Sequence, residues 1–275
     1  MRTSWFIYPK ELLSRGLQGV EDLQIPLAMK AYVQDAGPVD YSKEWLSMFY
    51  RDPIEQLLDD TPFVIRSDLA KKMFDNAQIR RGKKALQIEL TDIKKEDADR
   101  TPTFDEKLKE EYTGYMKGVL QLGFKPVRKL LKGEDVTFED MTGSITLGMH
   151  LTYWEGLGGK PEGIKGLIGF YRSEYLKSVP SIEIRCKLWT GLAVYLKSAK
   201  PKESDANDVG ILASVMPYAD YLVFDKTMVD LTRDRLHLAE KYNTKIYALS
   251  DIDTLLTELE GIGKRESPLL SMCRH

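Results

Sequence analysis

Two aspartates stand where side-chain chemistry is easiest to build. In KESDANDVGILASV the spacing predicts that Asp208 occupies the first turn of a helix, and in YLVFDKTMVDL Asp225 directly follows an apolar strand and opens the next helix. Open parallel sheets collect ligands in the crevice outside the carboxyl ends of their strands, so a strand-end carboxylate is well placed for function. Two such groups that converge could hold a hard cation. Mg2+ prefers oxygen donors, keeps several of its waters, and is typically held by one or two carboxylates plus substrate phosphates. The same residues also read as helix caps: Asp225 is a good N-cap, and Asp205 with Asp208 three residues on imitates a capping box with Asp in place of Glu.

The elements that must position these groups are clearest in the final third of the chain. Hydrophobic periodicity predicts helices over 182–196 and 209–215, a strand over 221–224, a helix over 228–242, a strand over 245–249 and a helix over 252–259. Strands that alternate with helices imply a parallel sheet. Upstream, WFIYPKELL starts with a short strand-like run that Pro9 ends, and 42–58 reads as two helical pieces broken at Pro53. TPFVIRSDLAKKMFDNA reads as a buried strand over 63–65 and a helix capped at Ser67 or Asp68. The stretch 90–110 is charged and exposed. Stretches 105–132 and 140–178 are largely helical, around the glycine-rich loop GLGGKPEGIKG at 156–166. The expectation is one α/β domain over 1–275, a mainly parallel central sheet flanked by helices, with a helical insertion over 95–180.

The string KPKESDANDVGILASVMPYADYLVFDKTMVDL and its continuation LHLAEKYNTKIYALSDIDTLLTEL resemble the C-terminal part of PIN-like proteins. In that pattern an Asp opens a helix, a proline-tyrosine turn leads into a strand, and an acidic residue followed by Lys or Arg ends it. The resemblance covers roughly 180–262. It implies a metal-dependent ribonuclease whose site gathers three or four carboxylates around one or two Mg2+ or Mn2+ ions. Asp208 and Asp225 match the last two acidic positions, Asp205 becomes an auxiliary acid, and Lys226 falls near the phosphate. RNA is then the substrate, and an inhibitor protein or a second copy a natural partner. The family's opening motif, a strand ending in Asp, has no counterpart in the first 50 residues; Asp68 is the best substitute, with Asp75 behind it. Two other readings stay open. One is a PIN-like module without catalysis; the other is a partner-binding protein whose helical insertion forms an interface, which an exposed apolar patch on 110–175 would mark.

Composition narrows the field. With a net charge of −2 there is no molecule-wide basic field for nucleic acid, so any such affinity needs a local patch. Lys177, Arg185, Lys187, Lys197, Lys200 and Lys202 form a candidate that also reads as a solvated helix face, and Arg185 as an ion-paired residue. The 2 cysteines, Cys186 and Cys273, form no CxxC pair, which points to a reducing cytoplasm with neither a disulfide framework nor a thiolate zinc site. No apolar run of about 18 residues suggests a membrane span, and MRTSWFIYPKELL lacks a signal-peptide core. GxGxxG, P-loop, GxSxG and HExxH patterns are missing, and His150, His237 and His275 show no ligand spacing. Gly163-Ile-Lys-Gly166 spells a GxxG, read as a plain loop; Tyr153-Trp154 and Phe170-Tyr171 read as packing residues or as platforms for unpaired bases.

Overall fold

In the computed structural model, residues 9–41, 102–196 and 203–265 are described. The chain divides into two compact units, Met1–Val215 and Met216–His275.

The described residues of the first unit are helical. α1 (Pro9–Gln34) starts at a proline, whose missing N–H costs nothing at a helix start, and runs through Pro26. α2 (Phe104–Gly123) and α4 (Phe138–Gly156) each begin at a reciprocal capping box, Thr103 with Glu106 and Thr137 with Asp140. Between them lies the short α3 (Lys125–Leu131). α5 (Gly163–Tyr171), α6 (Glu174–Lys177), α7 (Pro180–Tyr195) and α8 (Glu203–Val215) follow. Helices α2 to α6 occupy the stretch read as helical, and α2, α4, α5 and α6 share a core with α1 and α7. That core joins Ile25, Met29, Trp154, Phe170, Ile182 and Cys186 among others. α7 is buried on most sides, packed against α1, α2 and α8, with its Glu183, Arg185 and Lys187 held in ion pairs.

The glycine-rich loop is a packing device. Trp154 Nε1 donates to the Pro161 carbonyl at 3.0 Å, and the loop folds over the indole. A Cβ on Gly159 would lie 2.3 Å from the Trp154 ring, and one on Gly166 would lie 1.8 Å from the Pro161 oxygen. Gly159 lies in the loop and Gly166 in the first turn of α5, where the sequence reads a plain loop, and nothing larger fits at either position.

The second unit carries a two-stranded parallel sheet, β1 (Tyr221–Phe224) and β2 (Lys245–Ala248), in register Tyr221↔Lys245 through Phe224↔Ala248. The crossover, expected as one helix over 228–242, is broken. It consists of α9 (Lys226–Val229), a π-helical turn (Asp230–Arg235) and α10 (Leu238–Lys241), with His237 left-handed at φ 50°. The broken crossover turns Met228, Val229, Leu231, Thr232, Leu238 and Ala239 inward. A 3-10 turn (Leu249–Asp251) leads into α11 (Ile252–Arg265), which begins where predicted and runs past the expected end. The described residues are thus mostly helical with one small parallel sheet, and the strand expected over 63–65 lies outside them.

Candidate functional site

Asp225 is where the sequence put it. It is exposed at the carboxyl end of β1, and its Oδ1 accepts the Met228 N–H at 3.0 Å as the N-cap of α9. The capping role is therefore real, and it uses one of the several lone-pair sites a carboxylate offers. Lys226, next in the chain, is exposed on the first turn.

The parallel register makes the carboxyl edge a shared feature. Phe224 pairs with Ala248, so the segments starting at Asp225 and Leu249 leave the sheet at the same end. There Asp251 accepts from the Ala248 N–H at 3.2 Å and from Ser250 Oγ at 3.1 Å, while Arg233 Nη1 stands 4.0 Å from its Oδ2. Arg233 also holds Asp234, Nε to Oδ1 at 2.8 Å, and this charge-assisted contact keeps the Asp234 carboxyl below its ordinary range. Sequence reasoning did not single out Asp251 or Arg233. The usable signal for Asp251 was the rule that identified Asp225, an acid just past an apolar strand.

The other sequence-derived acids lie in the first unit or outside the described residues. Asp208 is the sixth residue of α8 and half-buried, so it sits in the second turn and not the first. The helix starts at Glu203, just after Pro201, because the polar ESDAND segment continues the helix that the apolar positions alone place later. Asp205 occupies the first turn and is buried. Asp68 and Asp75 lie outside the described residues. Among the described residues no group of three or more His, Cys, Asp or Glu side chains is gathered to hold a metal ion. The exposed carboxylate of Asp225 has the oxygen chemistry that a water-retaining Mg2+ or Mn2+ accepts.

Three members of the basic patch are ion-paired: Lys177 with Glu174 at 2.6 Å, Lys187 with Glu183 at 2.6 Å, and Arg185 with Glu21 at 2.9 Å. Arg185 also lies over the Tyr115 ring, 4.5 Å from its centroid, and Tyr115 donates to Glu21 Oε2 at 3.2 Å. This is a buried tie between α1, α2 and α7, not a phosphate receptor. Lys197, Lys200 and Lys202 lie outside the described residues. Of the aromatic candidates, Trp154, Phe170 and Tyr171 are core, and Tyr153 is exposed. Burial pushes the Cys186 thiol up to about 12, which suits packing and not nucleophilic chemistry. No helix among the described residues is long and apolar enough to cross a membrane.

Comparison with protein-family models, curated proteins and solved structures finds no match for the chain.

Proposed function

We propose that the chain is a PIN-like, metal-dependent endoribonuclease, built on a central parallel sheet to which β1 and β2 contribute. The observation that carries the reading is Asp225, exposed at the carboxyl end of a parallel strand with Lys226 beside it. The resemblance supplies the remaining roles: Asp208 and Asp225 as Mg2+ or Mn2+ ligands, Asp205 as support, and Asp68 as a third ligand. A divalent ion bound by such residues would lower the pKa of a water and neutralise charge on the scissile phosphate. Asp225 would hold an oxygen toward the ion while keeping its cap, and Lys226 would attract the RNA backbone.

The test is cleavage of labelled single-stranded RNA with Mg2+ or Mn2+, comparing wild type, Asp208→Asn, Asp225→Asn and an EDTA control. Asn keeps most of the capping ability and removes the charge. Loss of cleavage of about 100-fold or more in both folded variants is expected, the scale of a lost electrostatic contact to the transition state. Wild type that cleaves nothing with either metal would reject the nuclease in favour of a non-catalytic PIN-like binding or scaffolding module. A partner-binding protein whose helical insertion forms an interface is the further reading, and the uncharged exposed face of α4, where Met141, Ile145, Met149 and Tyr153 project, supports it.

A further inference from the structure

We propose that two copies of the chain associate through the outward face of α4, with the two helices antiparallel across a twofold axis. This inference does not depend on nuclease activity.

α4 has two faces. Asp140, Leu147, His150 and Trp154 are buried, while Met141, Ile145, Met149 and Tyr153, spaced every fourth residue, are 42%, 53%, 48% and 50% exposed. Gly148 and Thr152, between them, are exposed as well. No Asp, Glu, Lys or Arg occurs from Met141 to Trp154. A helix face that stays in water ordinarily carries charge, so an apolar face opposite the core calls for a partner surface.

The charge pattern selects a second copy as that partner. In an isologous contact every residue meets itself or its symmetry mate, and a face with no charge meets its own image without repulsion. The ends then set the direction. Glu155 is exposed at the C-terminal turn, whereas Lys125, beside Asp140 at 2.8 Å, stands at the N-terminal turn, the positive end of the helix dipole. An antiparallel pair places Glu155 of each copy near Lys125 of the other. A parallel pair would place Glu155 against its own image.

Gly148 fits the same arrangement. A Cβ there would meet nothing within 4 Å, so packing within the chain does not demand glycine at a position where it weakens the helix. Close approach of a second backbone does. α3, packed on α4, also exposes Val127, Leu130 and Leu131, which adds apolar surface to the region.

The experiment uses the full chain and light scattering after size exclusion, over a range of protein concentrations. A dimer is expected in wild type, a monomer with an unchanged helical melting curve in Ile145→Lys, and self-association weakened about tenfold in Glu155→Lys, where the new charge faces Lys125 twice. Gly148→Leu, for which the single chain has room, is expected to weaken self-association about tenfold, because its side chain would stand where the second backbone approaches. Wild type that stays monomeric at every concentration overturns the proposal. So does a dimer that survives Ile145→Lys, or loss of fold in Ile145→Lys, which would show that the chain itself covers this face. A dimer that Gly148→Leu leaves unchanged overturns the close approach at Gly148, and one that Glu155→Lys leaves unchanged overturns the antiparallel geometry.

Discussion

Gly166→Ala tests whether the glycine-rich loop is a structural clamp. The added Cβ would lie 1.8 Å from the Pro161 carbonyl oxygen and 2.7 Å from Trp154 Nε1. An ordinary carbon–oxygen contact needs more than an ångström of extra room, and the neighbouring atom is backbone, which cannot swing aside as a flexible side chain does. Relief requires shifting Pro161, and Pro161 accepts the Trp154 indole N–H at 3.0 Å. Overpacking of this kind costs about 1–3 kcal/mol, and an indole N–H left unsatisfied in the core costs about 1–3 more. The sum is about 2–6 kcal/mol, or roughly 4–24 °C in Tm for a folding unit of this size. Urea titration followed by circular dichroism, with a thermal melt, measures it. Gly118→Ala is the control: it lies in α2 with nothing within 4 Å of a Cβ, and it should leave stability unchanged or raise it by up to about 1 kcal/mol. A Gly166→Ala protein within about 0.5 kcal/mol of wild type would refute the clamp.

Two further outcomes follow from the ion pairs of the first unit. Arg185→Met should destabilise by about 3 kcal/mol or more, because it leaves the Glu21 carboxylate buried without its cation; a urea midpoint equal to wild type would refute the buried tie. Asp140 sits between Lys125 at 2.8 Å and Lys129 at 2.6 Å and accepts from Thr137, and the lysine contacts hold its carboxyl well below the ordinary range. With the folded pKa depressed, its contribution is complete above the unfolded carboxylate value and drains as pH falls through the lower, folded one. Asp140→Asn, which keeps the cap and loses the charge, should therefore be less stable than wild type near neutral pH, with the gap narrowing only in strong acid. Urea midpoints taken from neutral pH down into the acid range would show this, and a gap independent of pH would rule it out.

Legibility along the chain tracked how local the deciding interaction is. β1 falls on the predicted residues because YLVF is a short apolar run with a break on each side, and the same locality places Asp225 at its end as a cap. α1 was not read, because Gly16, Gly19 and Pro26 interrupt its pattern. What makes α1 a helix is burial of Val20, Ile25, Ala28 and Met29 in the core, a long-range effect. Asp208 was placed a turn too early in its helix for a related reason: apolar spacing finds the packed part of a helix and misses a polar lead-in.

The sequence by itself determined the alternation of helix and strand in the last third, the strand-end position of Asp225, and the resemblance that raises nuclease chemistry. Each depends on neighbours a few residues apart, and apolar runs, prolines and capping residues encode those directly. Only the tertiary structure decided what the remaining candidates do. It paired Arg185 with Glu21 across helices far apart in the chain, put the GxxG into the first turn of α5 with Gly166 against Trp154, and placed Asp251 at the edge it shares with Asp225. It also left the uncharged side of α4 facing outward. A side chain's partner is set by which helices meet, and that choice is made by the whole core at once, not by any segment read alone.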